Sequence, residues 1–241
     1  MKKRIVMIGN TNNLRGVPVD LATYNSFFTS PIGGNWCREE IDLLWNPTRR
    51  SLFRQIVEIE NADYDYVITI FSGHGFEEGD ETVLVLNGRG ETITLNDLMN
   101  LSPRQLLIID CCRIRMLLLS ADFVLEETES TMLSMSHDPI RQAYEERIRD
   151  SIPQEVILFA CDEGERAFDS PDGGEYSQYL LAAAQMATRS RSPFISVSDA
   201  HYKAVSMMRQ DFSLMQHPQI LQPHCATHRQ LPFAVNLKFF L

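Results

Sequence analysis

The chain has 241 residues, 44% of them hydrophobic, which suits one large α/β domain with its own core and does not call for a second. Its formal charge of −10, from 32 acidic against 22 basic side chains, argues against nucleic acid as a partner, because phosphate binding needs a basic face. No run of about 18 apolar residues occurs, so no membrane span is expected, and five cysteines without framework spacing point to a reducing cytoplasm.

Residues 1–9 carry a short basic stretch followed by apolar residues. The apolar part is too short for a signal peptide, and 3–9 reads as a first buried strand. A polar loop over 10–16 follows. Pro18 then opens a helix with Leu21, Tyr24, Phe27 and Phe28 on one face, which 30–35 breaks. A short strand over 40–44 precedes a helix opened by Pro47-Thr48, with Leu52, Ile56 and Ile59 at helical spacing. Residues 66–71 form an apolar strand, 77–81 an acidic loop, and 82–86 with 91–95 a hairpin around Asn87-Gly88-Arg89-Gly90. A short helix over 96–100 leads into a second apolar strand over 105–109. Residues 113–153 break the alternation: apolar Met116 to Leu119, acidic Glu126 to Ser130, then a charged helical stretch over 138–150. An insertion of about 40 residues exceeds ordinary loops in compact domains and marks a functional segment. A strand over 155–160, helices over 176–187 and 198–212, and a last strand over 232–239 complete the chain. The alternation predicts helices on both faces of a mostly parallel sheet.

Two strands end in chemistry. One runs into Ser72-Gly73-His74-Gly75, the other into Asp110-Cys111-Cys112-Arg113. Reactive groups in open α/β sheets gather beyond the carboxyl ends of strands, so neighbouring strands would bring His74 and Cys112 together as a thiol nucleophile and its proton carrier. The Gly75 and Cys112 N–H groups are candidates for an oxyanion hole. A strand ending in Asp and Arg favours an exposed, activated thiolate over a buried structural thiol. His137, His201, His217, His224 and His228 lack the ligand spacing of a zinc site.

The two motifs, with Cys112 38 positions after His74, resemble those of the caspase and metacaspase family of cysteine peptidases. The resemblance extends to Leu14 through Leu21, to Phe159-Ala160-Cys161-Asp162-Glu163 and to His217-Pro218-Gln219-Ile220. It implies a caspase-like three-layer αβα sandwich around an about six-stranded sheet, spanning 1–241 as one domain. The family's Asp-x-Cys pattern assigns the nucleophile to Cys112, and strand alternation then turns Cys111 into the core. The metacaspase pocket for Arg or Lys falls by this resemblance on Asp20, Ser72 and Asp110. A carboxylate pair binds guanidinium bidentately. Caspases that cut after Asp use arginines instead, and Arg15 and Arg113 keep that alternative open. Family members continue the nucleophile motif with a Gly that this chain lacks, its residues being Cys112-Arg113-Ile114-Arg115.

The expected function is a cysteine endopeptidase acting on protein substrates after Arg or Lys. No cofactor is required. The acidic loop of Glu77, Glu78, Asp80 and Glu81 is a candidate calcium site, weighed against a solvated face. Arg141, Arg147 and Arg149, in a polar stretch read as exposed, are candidate positions for activating cleavage of a zymogen. The resemblance suggests an upstream protease or regulator and a regulated proteolytic or antiviral setting. The competing readings are a silent caspase-like scaffold and, more weakly, a redox switch using Cys111 and Cys112.

Overall fold

The computed structural model describes residues 1–115, 138–211 and 215–240. Residues 116–137, which hold the apolar and acidic parts of the insertion, lie outside them, as does Phe212 at the end of an expected helix. The elements in chain order are β1 (Lys3–Gly9), α1 (Val17–Thr29), β2 (Ile41–Trp45), α2 (Arg49–Glu60), β3 (Tyr66–Ser72), β4 (Gly75–Glu78), β5 (Glu81–Val85), β6 (Thr92–Thr94), β7 (Arg104–Asp110), α3 (Pro139–Asp150), β8 (Gln154–Phe159), β9 (Asp169–Ser170), β10 (Gly173–Gly174), α4 (Glu175–Gln185), β11 (Phe194–Ser196), α5 (Val197–Met208), β12 (Gln219–Leu221) and β13 (Pro232–Val235).

Six strands form the central sheet in the order β12-β8-β7-β3-β1-β2, all parallel except β12, which runs antiparallel to β8. Successive side chains on a strand face opposite sides. On β7, Leu106 and Ile108 join one core with α1, α3, α4 and α5, while Leu107 and Ile109 join a second with α2, β5 and β6. The apolar runs read as strands are thus buried on both faces, as parallel strands must be. Among the described residues, no helix is long and apolar enough to cross a membrane.

Local chemistry sets the boundaries near the site. Proline at the first turn starts α1, and the Thr48 hydroxyl accepts from the Ser51 amide to cap α2. Two expectations are corrected. The acidic stretch 77–81 is not a loop but a hairpin of β4 and β5, with Glu77 paired to Thr82 and buried. The last strand is short and pairs with β11 outside the central sheet, whose edge is β12 instead.

The register matters most at the upper ends of the strands. Gly9 of β1, Ser72 of β3 and Asp110 of β7 stand side by side, so the residues after them emerge at one rim. Ile108 lies in the middle of β7 and is fully buried. Ile108→Ala is expected to cost about 2–5 kcal/mol in urea unfolding, against about 0.5 kcal/mol or less for Val57→Ala on the exposed side of α2.

Candidate active site

His74 leaves β3 one residue beyond Gly73, and its Nε2 lies 2.6 Å from the main-chain oxygen of Asn12 in the β1–α1 loop. A carbonyl only accepts, so Nε2 is the donor in this contact, which leaves Nδ1 as the other ring nitrogen. That loop is itself held. The Asn10 side chain donates to the Val85 carbonyl at 2.8 Å and accepts the Asn12 amide at 3.0 Å.

Cys112 leaves β7 half-buried, with its thiol directed at the Ala167 carbonyl 3.6 Å away. Burial pushes the thiol above its ordinary pKa and the Asp110 charge adds to this, while Arg166 acts against them. Cys112 and His74 line one cavity together with Asp20, Ser72, Asp110, Asp169 and Gly174. Cys111 turns the other way into the core, where it is 2% exposed. Gly75 sits so tightly against this corner that an added Cβ would fall 2.4 Å from the Cys111 sulfur and 3.1 Å from the Cys112 carbonyl oxygen. The close approach explains the glycine after His74.

The floor of the cavity is two buried carboxylates. Asp20 accepts from the Ser72 hydroxyl at 2.7 Å and from the Gly174 amide at 2.8 Å, and Asp110 accepts from the Ser177 hydroxyl at 2.6 Å. Tyr24 donates in turn to Ser177 at 3.1 Å. Burial raises Asp20 to about 7, with the charge of Asp110 as the next cause, and burial raises Asp110 to about 6. Among the described residues, the cavity lining contains no Lys or Arg.

The two arginines considered for an anion-binding pocket lie elsewhere. Arg15 is exposed and does not line the cavity. Arg113 points away from it: Nε lies 2.6 Å from Glu77, Nη2 3.2 Å from Glu163, and the guanidinium rests 4.1 Å from the centre of the Phe159 ring. Both Arg113 and Glu77 are more than nine-tenths buried. Their pairing avoids an uncompensated buried charge, which costs about 3–5 kcal/mol when one partner is removed. It also settles how the chain proceeds without the missing glycine. Residues 113–115 run between β4 and the loop after β8. The Arg113 amide donates to the Glu165 carbonyl, the Gly164 amide to the Arg113 carbonyl and the Glu77 amide to the Ile114 carbonyl. That loop is further tied by His217 to Glu165 and by Gln216 to Phe168 and Ala160, which places Ala167 over the Cys112 thiol.

The acidic turn carries Glu77, Glu78, Asp80 and Glu81. Glu77 is taken by Arg113 and Thr82, and Glu81 accepts from Asn96. No group of three acidic, His or Cys side chains converges among the described residues.

The expectation of an exposed stretch around Arg141, Arg147 and Arg149 is also corrected. All three lie on α3, whose spacing buries Tyr144 and Ile148. Arg141 pairs with Glu40 at 2.6 Å and Glu145 at 3.2 Å, Arg147 donates to the Thr227 carbonyl at 3.1 Å, and only Arg149 is well exposed.

Asn12 and Ser177 bond to residues lining this cavity, and Tyr24 bonds to Ser177; these three carry no functional signal in the sequence, whereas Gly174 lies in the polar stretch 169–174, which family resemblance puts near a substrate groove. The Gly173-Gly174 doublet was the one local signal. Tyr24 and Ser177 read as ordinary positions on buried helix faces.

An α/β sheet with a His and a Cys at adjacent strand ends above an acidic pocket defines a thiol-hydrolase architecture. The chain belongs to the caspase-domain peptidase family, whose profile matches residues 2–228. The crystal structure of caspase-1 from Spodoptera frugiperda shares the fold, with a TM-score of 0.57 at 13% identity over 91% of this chain and 86% of that one. Comparison with curated protein sequences finds no match.

The carboxylate pair gives the fold a specific pH dependence. Both native pKa values lie above the ordinary range, so between about pH 4 and pH 7 the folded state holds more protons than the unfolded chain and stability falls as pH rises through that window. Asp110→Asn relieves the repulsion. Its Tm relative to wild type is expected to rise between pH 5 and pH 8; a gap constant across that range would contradict the assignment.

Proposed function

We propose that the protein is a cysteine endopeptidase that cleaves protein substrates after Arg or Lys. The observation that carries this reading is the buried Asp20 and Asp110 pair on the floor of the cavity that His74 and Cys112 line, with no cation in the lining among the described residues. A positive side chain entering there meets two desolvated carboxylates, and its backbone carbonyl is left beside the Cys112 sulfur.

The sulfur attacks that carbonyl carbon while the thiol proton passes to His74 Nδ1. In this reading the Gly75 and Cys112 N–H groups receive the developing oxyanion. His74 then gives the proton to the leaving amine, and an acyl-enzyme remains. Water, deprotonated by the same nitrogen, releases the acid and restores the thiol. Asn12 fixes the ring so that Nδ1 performs each transfer. A cation seated on Asp110 also offsets one of the charges that hold the proton on Cys112. Substrate thereby eases ionisation of the nucleophile.

The resting thiol is protonated and faces the Ala167 carbonyl, which supports a latent form activated by cleavage within 113–153. A cut at Arg141, Arg147 or Arg149 requires α3 to unwind, because proteases take extended chain. Exposed Arg115 needs no such step. Such latency implies an upstream protease or regulator, in keeping with a regulated proteolytic or defence pathway.

The test is hydrolysis of matched fluorogenic peptides ending in Arg, Lys or Asp, before and after limited trypsin nicking, with calcium and with chelator. Arg and Lys peptides are expected to be cleaved, more than about 10³-fold slower in Cys112→Ala, with nicking raising the rate and calcium leaving it unchanged. Preference for Asp, or activity surviving Cys112→Ala, would overturn the reading.

A further inference from the structure

The cavity holds a third carboxylate that the floor pair does not explain. Asp169 lies on β9, directly across from Gly174 of β10, and lines the same cavity. The β9–β10 hairpin is pressed onto the floor. An added Cβ at Gly173, where φ is +112°, would fall 2.6 Å from Asp20 Oδ1, and one at Gly174 would fall 2.5 Å from Asp110 Oδ2. Only glycine permits this approach, and the Gly174 amide confirms it by donating to Asp20. Asp169, opposite Gly174, is therefore held at a defined height above the floor. It is exposed where Asp20 and Asp110 are buried, which makes it the rim of the pocket. Its charge reaches both floor carboxylates, acting to raise the pKa of each.

We propose that Asp169 is the residue that makes the pocket select arginine over lysine. The inference rests on the reading of the pocket as a site for a basic side chain. An arginine whose terminal nitrogens meet Asp20 and Asp110 carries a further donor, Nε–H, two bonds nearer the backbone. A lysine with its ammonium on the floor presents only a methylene at that height. A rim carboxylate therefore accepts a charged hydrogen bond from arginine and gains nothing comparable from lysine, while its desolvation is shared by both. A neutral rim would leave a pocket that reads charge alone.

Asp169 also has a structural use: its Oδ2 lies 3.2 Å from the Gly16 amide at the start of α1. A residue serving only as that anchor would change stability without changing the ratio of the two ligands. The test separates the two. Calorimetric titration of Cys112→Ala protein at pH 8 with N-acetyl-arginine amide and N-acetyl-lysine amide is expected to show about tenfold tighter binding of arginine. Adding Asp169→Asn is expected to weaken arginine about tenfold and lysine less than about threefold, with Asp169→Glu regaining part of the arginine affinity. Asp169→Ser, which keeps an oxygen for Gly16 without charge, carries the same expectation should Asp169→Asn fail to fold. If both ligands bind and the rim substitutions leave their ratio unchanged, Asp169 is not the discriminator and the pocket reading stands. If neither ligand binds the Cys112→Ala protein, the pocket reading falls and the role of Asp169 with it.

Discussion

Two carboxylates buried within one pocket, without a cation beside them, are the constraint around which the upper rim is built. Asp20 comes from the first turn of α1 and Asp110 from the end of β7. Each is kept in place by hydrogen bonds from other elements: Ser72 at the end of β3, Gly174 in β10, and Ser177 on α4 with Tyr24 of α1 behind it. Burying like charges this way opposes folding, and the protein answers by retaining protons. On the proposed reading, a basic side chain bound there relieves this cost.

The loop over Cys112 depends on a second buried charge. Arg113 follows the cysteine, and its side chain lies outside the cavity. It crosses to Glu77, lies on Phe159 and leaves its main chain to pair with Glu165 and Gly164. The same contacts hold the loop carrying Ala167 against the Cys112 thiol. The two buried pairs thus have opposite characters. Glu77 and Arg113 are mutually compensated and hold the loop, whereas Asp20 and Asp110 have no cation beside them among the described residues.

The central strands, the His74 and Cys112 endings and the inward turn of Cys111 were legible because they follow from local rules: apolar runs of strand length, period-two alternation, and an abrupt switch to glycine or charge. The floor residues were legible only through family resemblance, since Asp20 and Asp110 stand 90 positions apart and no spacing connects them. The acidic stretch at 77–81 misled because a charged run ordinarily faces solvent. Nothing local showed that Glu77 faces a buried arginine 36 residues on. Arg141 misled for the converse reason: the polar composition of the helix expected over 138–150 hid its packing, with Tyr144 and Ile148 buried and Arg141 paired to Glu40 and Glu145. Ser177 and Tyr24 carry no sequence signal, as their roles arise only where α1 and α4 pack together over the pocket.

The central claim is that the acidic pocket delivers a basic side chain to the Cys112 sulfur. Covalent trapping tests it most directly. Protein treated at pH 8 with a short peptidyl chloromethylketone ending in arginine, and with its aspartate counterpart, is analysed by intact mass and peptide mapping. The arginine reagent is predicted to add one equivalent at Cys112, slowed strongly in Asp110→Asn, with the aspartate reagent leaving the site unlabelled. Equal labelling by both reagents, or an adduct on Cys37, Cys161 or Cys225 with Cys112 free, would contradict it.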